Sequence, residues 1–363
     1  MRHDCFTRVG RLAAVAGLLL AVADAQVPSA VPPALPSAAA HYQLNPKLPT
    51  LWIIGASAVR NGHDTGNDGQ WGWGNPIASF FDRNRINVVN FALGGTSTRT
   101  YQSLGLWDHL LQDMKPGDYL LIQFGSNDAS PVNDLARARG TLPGNGEQIE
   151  EIDNLKTKKH EVVHTFGWYL RKFIADAKAK GAAGEIVLSP DPKNSWQAGK
   201  AVRPANFAEW ARQAAAEENV PFVDAGELIA EKYDSLGQET VTQKYFPEKE
   251  TEHTDWAGAI LNARCIVAGI MGLDHCELVN YVLPVLPADL PLPSGKARLI
   301  SLSSLRGRTT LAAAISSNNR RWPPRRSPAA AACGWRRRPP LRRPVPPPPR
   351  LRRPGTSRRC AGC

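Results

Sequence analysis

Five short apolar runs recur along the chain, each closing in small or polar residues: TLWIIGAS, INVVNFALGG, DYLLIQFGSND, GEIVLSPDP and PFVDAGE. Runs of this length that end in Gly, Ser, Asn or Asp predict buried strands. Between them lie VVHTFGWYLRKFIADAKAKG, FAEWARQAAAEENV and WAGAILNARCIVAGIMGL, whose apolar positions fall three and four apart and predict helices. Strands alternating with helices give an α/β fold with a parallel sheet covered on both faces. In such folds ligands bind beyond the carboxyl ends of the strands. That is where this chain places its glycines and polar residues.

Charge changes the picture only at one end. The 363 residues carry 44 Lys+Arg against 33 Asp+Glu, a net charge of +11. Sixteen arginines and no acid lie in 301–363, so residues 1–300 hold 28 basic and 33 acidic residues and a net charge of −5. The basic excess belongs to a Pro/Arg-rich tail that lacks periodic apolar residues and reads as disordered. No folded basic face remains to suggest a nucleic-acid partner. Residues 1–25 carry Arg2, Arg8 and Arg11, then LAAVAGLLLAVA and Ala23-Asp24-Ala25. This fits a cleavable secretory signal, too short for a membrane span, and predicts a secreted or periplasmic protein. Residues 26–48 read as a linker, 49–275 as the folded domain and 276–300 as a C-terminal extension. Cys5 leaves with the signal, and Cys333, Cys360 and Cys363 lie in the tail. Cys265 and Cys276 are therefore either one disulfide or two free thiols.

Four clusters supply candidate chemistry: Gly55-Ala56-Ser57, Gly94-Gly95, Gly125-Ser126-Asn127-Asp128 and Glu250-Thr251-Glu252-His253. Each alone reads as loop punctuation. Together they hold a nucleophilic hydroxyl, a bare backbone N–H, a side-chain amide donor and a base, the parts acyl transfer needs. A competing motif, His160-Glu161-Val162-Val163-His164, matches the helical H-E-x-x-H of zinc proteases. The residue where a third histidine belongs is Leu170, and Glu185 is the substitute ligand such a site would need. The alternative is the polar face of a helix that buries Val162, Val163, Phe166, Tyr169, Leu170 and Phe173. Trp71, Trp73, Trp196 and Trp256 are candidate sugar platforms or packing residues. Arg60 and Arg99 are candidate partners of uronate carboxylates or structural clamps.

IGASAVRNG, GQWGWGNPIASFF, NVVNFALGGTSTRTY, LLIQFGSND and ETEHTDWAGAILNA, in that order, resemble the blocks of the SGNH (GDSL-type) hydrolases over roughly 49–275. The closer resemblance is to the rhamnogalacturonan acetylesterase group. It implies a three-layer α/β/α, flavodoxin-like sandwich with Ser57 as nucleophile, His253 as base and Glu250 orienting the imidazole. The N–H groups of Ser57 and Gly95 and the amide of Asn127 become the oxyanion hole. No cofactor and no metal are implied, and the expected partner is an acetylated polysaccharide or oligosaccharide, rhamnogalacturonan first, met by a monomer. Two positions depart from the pattern. Ala56 stands where the family has aspartate beside the serine, and Glu250 replaces the orienting aspartate, with Glu248 and Glu252 as competitors. Acetylxylan esterase, a non-catalytic carbohydrate-binding descendant and the zinc protease are the other readings.

Overall fold

The computed structural model describes residues 43–287 and 290–291. The leader at 1–25, most of the linker at 26–48, the end of the 276–300 extension and the tail at 301–363 lie outside the described residues. The chain runs β1 (Thr50–Gly55), β2 (Asn87–Asn90), α1 (Thr98–Ser103), α2 (Leu106–Asp113), β3 (Tyr119–Gln123), β4 (Ile149–Asp153), β5 (His160–His164), α3 (Phe166–Ala179), β6 (Gly184–Leu188), β7 (Trp196–Gln197), β8 (Lys200–Ala201), α4 (Ala205–Glu217), β9 (Phe222–Val223), α5 (Ala225–Leu236), α6 (Gln238–Lys244) and α7 (Trp256–Met271).

The five predicted runs form one parallel sheet in the order β2-β1-β3-β6-β9. The chain leaves β1 on one side to make β2 and returns on the other to make β3. This is the topological switch at which open α/β sheets leave a crevice. β1 and β3 are buried along their whole length, as strands covered on both faces must be.

Alternate strand residues feed two cores. Trp52, Ile54, Leu120 and Ile122 pack with Tyr101, Trp107, Phe173 and Ala214 of α1 to α4. Leu51, Ile53, Leu121 and Ile186 pack with Ile266, Val267 and Ile270 of α7. The result is a three-layer α/β/α sandwich. Beyond residue 275 the chain stays on this body: Leu278 is buried, Val282 bridges Phe81, and Trp256 Nε1 donates to Leu290 O at 3.0 Å.

The helix expected from Val162 onward begins only at Phe166. Thr165 caps it, its hydroxyl accepting the Trp168 N–H at 3.2 Å, as an N-cap threonine does. Residues 160–164 are instead β5, antiparallel to β4, a state that β-branched Val162 and Val163 favour. Val163, Phe166, Tyr169, Leu170 and Phe173 are buried as expected, but Val162 is 39 % exposed. His160 and His164, four residues apart on a strand, stand ~13 Å apart and do not converge as on a helix. Glu161 pairs with Arg99, and Glu185 lies within the central sheet. The zinc-protease reading fails on this geometry. Cys265 and Cys276 are both free thiols, the first packed on the cluster around Tyr233 and the second on the α7 core.

Candidate active site

β1 ends at Gly55, where a Cβ would stand 2.3 Å from Val59 Cγ2 and 2.6 Å from Gln123 O. The close approach needs glycine. The chain then turns, Ala56 O accepting the N–H groups of Val59 at 3.2 Å and Arg60 at 3.0 Å, with Ser57 inside the turn. The WGWG segment supports it from beside: Trp73 N–H donates to Ala58 O at 3.0 Å and Gly74 N–H to Val59 O at 2.9 Å. Ala56, where the resemblance expects aspartate, is buried in the core. Backbone bonds and tight glycines therefore hold this turn.

His253 Nε2 lies 3.0 Å from Ser57 Oγ. Its segment is pinned across the site, Trp71 N–H donating to Thr254 O at 2.8 Å and Thr254 Oγ1 to Trp71 O at 2.9 Å. Immediately afterwards Asp255 caps α7 by accepting the Gly258 N–H at 2.8 Å. Glu250 Oε2 faces His253 Nδ1 at 3.6 Å and accepts from Gln70 Nε2 at 2.8 Å. Its Oε1 accepts the N–H groups of Thr251 at 2.9 Å and Glu252 at 2.7 Å. Nδ1 is buried and has no hydrogen-bond partner. Burial works to raise the Glu250 carboxyl, but the backbone N–H groups and His253 outweigh it and hold it below the usual range. The competitors turn elsewhere: Glu252 pairs with Lys193 at 2.6 Å and Glu248 with Lys249 at 3.4 Å.

A Cβ on Gly94 would lie 3.6 Å from Ser57 Cβ, so the turn after β2 rests against the serine. Gly95 has φ +87°, a left-handed conformation that favours glycine. Asn127, after β3, donates from Nδ2 to Thr96 O at 2.7 Å, and a primary amide carries a second N–H. Behind it Asp128 is buried, accepting from Thr98 N at 3.0 Å and Gly125 N at 3.1 Å. It stitches the ends of β2 and β3 together. Burial pushes its carboxyl up to about 6 against the pull of those hydrogen bonds. Ser57, Asn127, His253, Phe124, Pro190 and Asp191 line one pocket.

Asp191 is the residue that sequence reasoning missed; its only signal was the SPDP that ends the fourth strand run. It accepts from Gln123 Nε2 at 2.6 Å and Asn262 Nδ2 at 3.2 Å, and burial pushes it up to about 7. The tryptophans and arginines singled out in the sequence have internal partners. Trp73 is fully buried with Nε1 donating to Gln123 Oε1 at 2.5 Å, and Trp71 is buried edge-to-face on Trp256 at 4.8 Å. Trp196 donates to Asn194 Oδ1 at 2.8 Å. Arg60 is buried against Asp64 and Asn90 O, and Arg99 against Glu161. Trp71, Trp73, Arg60 and Arg99 are thus buried in the frame, while Trp196 and Trp256 are half-buried.

Residues 53–248 match the model of the GDSL-like lipase/acylhydrolase family. Over 201 residues the chain is 30% identical to the rhamnogalacturonan acetylesterase of Emericella nidulans, covering 55% of this chain and 78% of that one. It is 28% identical to the probable rhamnogalacturonan acetylesterase YesY of Bacillus subtilis, across 63% of this chain and 96% of the relative. The crystal structure of the YxiM protein of Bacillus subtilis matches with a TM-score of 0.50 at 25% identity, covering 61% of this chain and 56% of that one. The present chain thus spans little more than half of that relative's length.

Proposed function

We propose, for a chain that belongs to the GDSL-like lipase/acylhydrolase family, that it is a carbohydrate acetylesterase acting on acetylated rhamnogalacturonan. The observation that carries the reaction is the 3.0 Å approach of His253 Nε2 to Ser57 Oγ at the sheet's switch point. The similarity to the Emericella nidulans and Bacillus subtilis enzymes supports the substrate. The leader-like sequence at 1–25 is consistent with work outside the cytoplasm.

In this reading Ser57 Oγ attacks the acetyl carbonyl while His253 Nε2 takes its proton. The negative charge on the carbonyl oxygen is met by the N–H groups of Ser57 and Gly95 and by the Asn127 amide. Donors fixed before reaction each lower such a barrier by roughly 3–4 kcal/mol. His253 then protonates the departing sugar hydroxyl, leaving acetyl-Ser57. A water that gives its proton to the same imidazole attacks this ester, and acetate leaves as the proton returns to Oγ. Glu250 holds the ring and stabilises its cationic form across the 3.6 Å gap.

The test is acetate release from acetylated rhamnogalacturonan, acetylated xylan and p-nitrophenyl acetate by the full chain and its Ser57→Ala variant. Loss of at least about 10³-fold with Ser57→Ala is expected, with rhamnogalacturonan the fastest polysaccharide. Faster release from xylan would transfer the substrate to neutral polymers, and no release from any would overturn the esterase reading.

A further inference from the structure

The segment 131–140 reaches Gly95 through its arginines, and its construction is specific. Arg99, 1 % exposed, donates from one guanidinium nitrogen to Val132 O at 2.7 Å and Gly140 O at 2.8 Å. Its other nitrogens grip both carboxylate oxygens of Glu161 at 2.7 and 2.6 Å. Gly140 N–H closes the base on Pro131 O at 3.0 Å, and Asn133 ties the outer arm to Asp153 O and Leu155 N. At the tip, Asp134 Oδ1 accepts the backbone N–H groups of Arg137 at 2.5 Å and Ala138 at 2.7 Å, with Ala138 at φ +43°. The acid nearest Arg137 in sequence is thus turned onto the backbone. It shapes the turn.

The tip presents two arginines to Gly95. Arg139, half-buried, donates to Gly95 O at 2.9 Å and Ser130 Oγ at 3.1 Å. Arg137 is exposed, with a guanidinium nitrogen 3.6 Å from where a Gly95 Cβ would stand. No ion pair among the described residues involves either guanidinium. Burial and the repulsion of Arg137 both lower the Arg139 pKa, opposed by Asp128 and Glu252. Two cations near one point repel, and an anion bound by both relieves that repulsion. A planar guanidinium suits a carboxylate bidentately.

We propose that Arg137, supported by Arg139, binds the carboxylate of a uronic acid residue in the polysaccharide chain, next to the sugar whose acetyl group lies over Ser57. The inference rests on the polysaccharide reading above and adds the residue that reads the carboxylate of that substrate. Arg137 is a specificity residue outside the bond-making steps, and the frame built by Arg99 and Glu161 fixes where it stands.

The experiment separates binding from turnover. Titration of the full chain with deacetylated rhamnogalacturonan oligosaccharides and with their carboxyl-reduced, neutral counterparts gives two dissociation constants. The unmodified protein should prefer the acidic ligand, and added salt should erode that preference. Arg137→Gln should remove about tenfold of it, the scale of one charge-assisted hydrogen bond, and Arg137→Lys should restore part. Circular dichroism melting of each variant checks that the exposed substitution leaves the fold intact. Equal affinity for acidic and neutral ligands, or a preference that survives Arg137→Gln, overturns the inference even if acetate release is normal. An Arg137-dependent preference combined with no acetate release upholds the inference and overturns the esterase reading alone.

Discussion

Glu250 does two jobs with two oxygens: one clamps its own loop through backbone N–H groups, and the other faces His253 Nδ1 at 3.6 Å. Glu250→Gln keeps most of the clamp and removes the charge. It should lower kcat roughly 10²-fold with little change in KM, read from initial rates on p-nitrophenyl acetate. An unchanged kcat would show that the imidazole needs no carboxylate. That Ser57 and His253 stand as a candidate pair was legible because each ends a recognisable cluster, and the structure brings them to 3.0 Å. The choice among Glu248, Glu250 and Glu252 was not, since it depends on Gln70 and Lys193, which lie far away in sequence. Of the two readings open for Arg60 and Arg99, the structure takes the clamp, on Asp64 four residues away and on Glu161 across the fold. A sequence displays a charge but not the buried carboxylate that meets it.

Among the elements, all five sheet strands could be read from their apolar runs; β1 and β3, buried along their length, have little other composition open to them, and the half-buried edge strand β2 still carries Val88 and Val89. The hairpin β4–β5 was missed. Its residues are mostly exposed or half-buried, so no apolar run announces them, and the apolar spacing of α3 extends backward into Val162 and Val163. Cross-strand pairing, together with the Thr165 cap, decides against the longer helix. The hairpin's Glu161 explains why it matters: Arg99 bridges it to the 131–140 segment. Arg99→Met should leave Glu161 without its guanidinium and destabilise the fold by about 3 kcal/mol in urea unfolding. Amide exchange at Arg137 and Ala138 should accelerate in the same variant. Exchange there at the unmodified rate would show that the segment holds itself.

For the whole molecule, the three layers and the strand-end location of the site followed from pattern, whereas its acid–base balance did not. Asp128 and Asp191 are raised to about 6 and about 7 by burial. A carboxyl whose folded pKa exceeds its unfolded value binds its proton more tightly when folded. Its stabilisation is full below the unfolded value near 4 and is lost as pH rises through the folded one. Stability should therefore fall between about pH 4 and pH 7, and Asp191→Asn should flatten that fall by on the order of 2–4 kcal/mol. Urea unfolding of both proteins across this range checks it; parallel curves would place the Asp191 proton elsewhere. The spacing of the site along the chain has one more consequence. Ser57 precedes His253 by 196 residues, and a ribosome adding about 5–20 residues per second needs on the order of 10–40 s to cover that distance. Throughout that interval the emerging polypeptide carries its serine without its base. With Ser57 and His253 acting as proposed, hydrolytic competence is thus withheld from every nascent chain until the His253 segment has been made and has met the β1 turn.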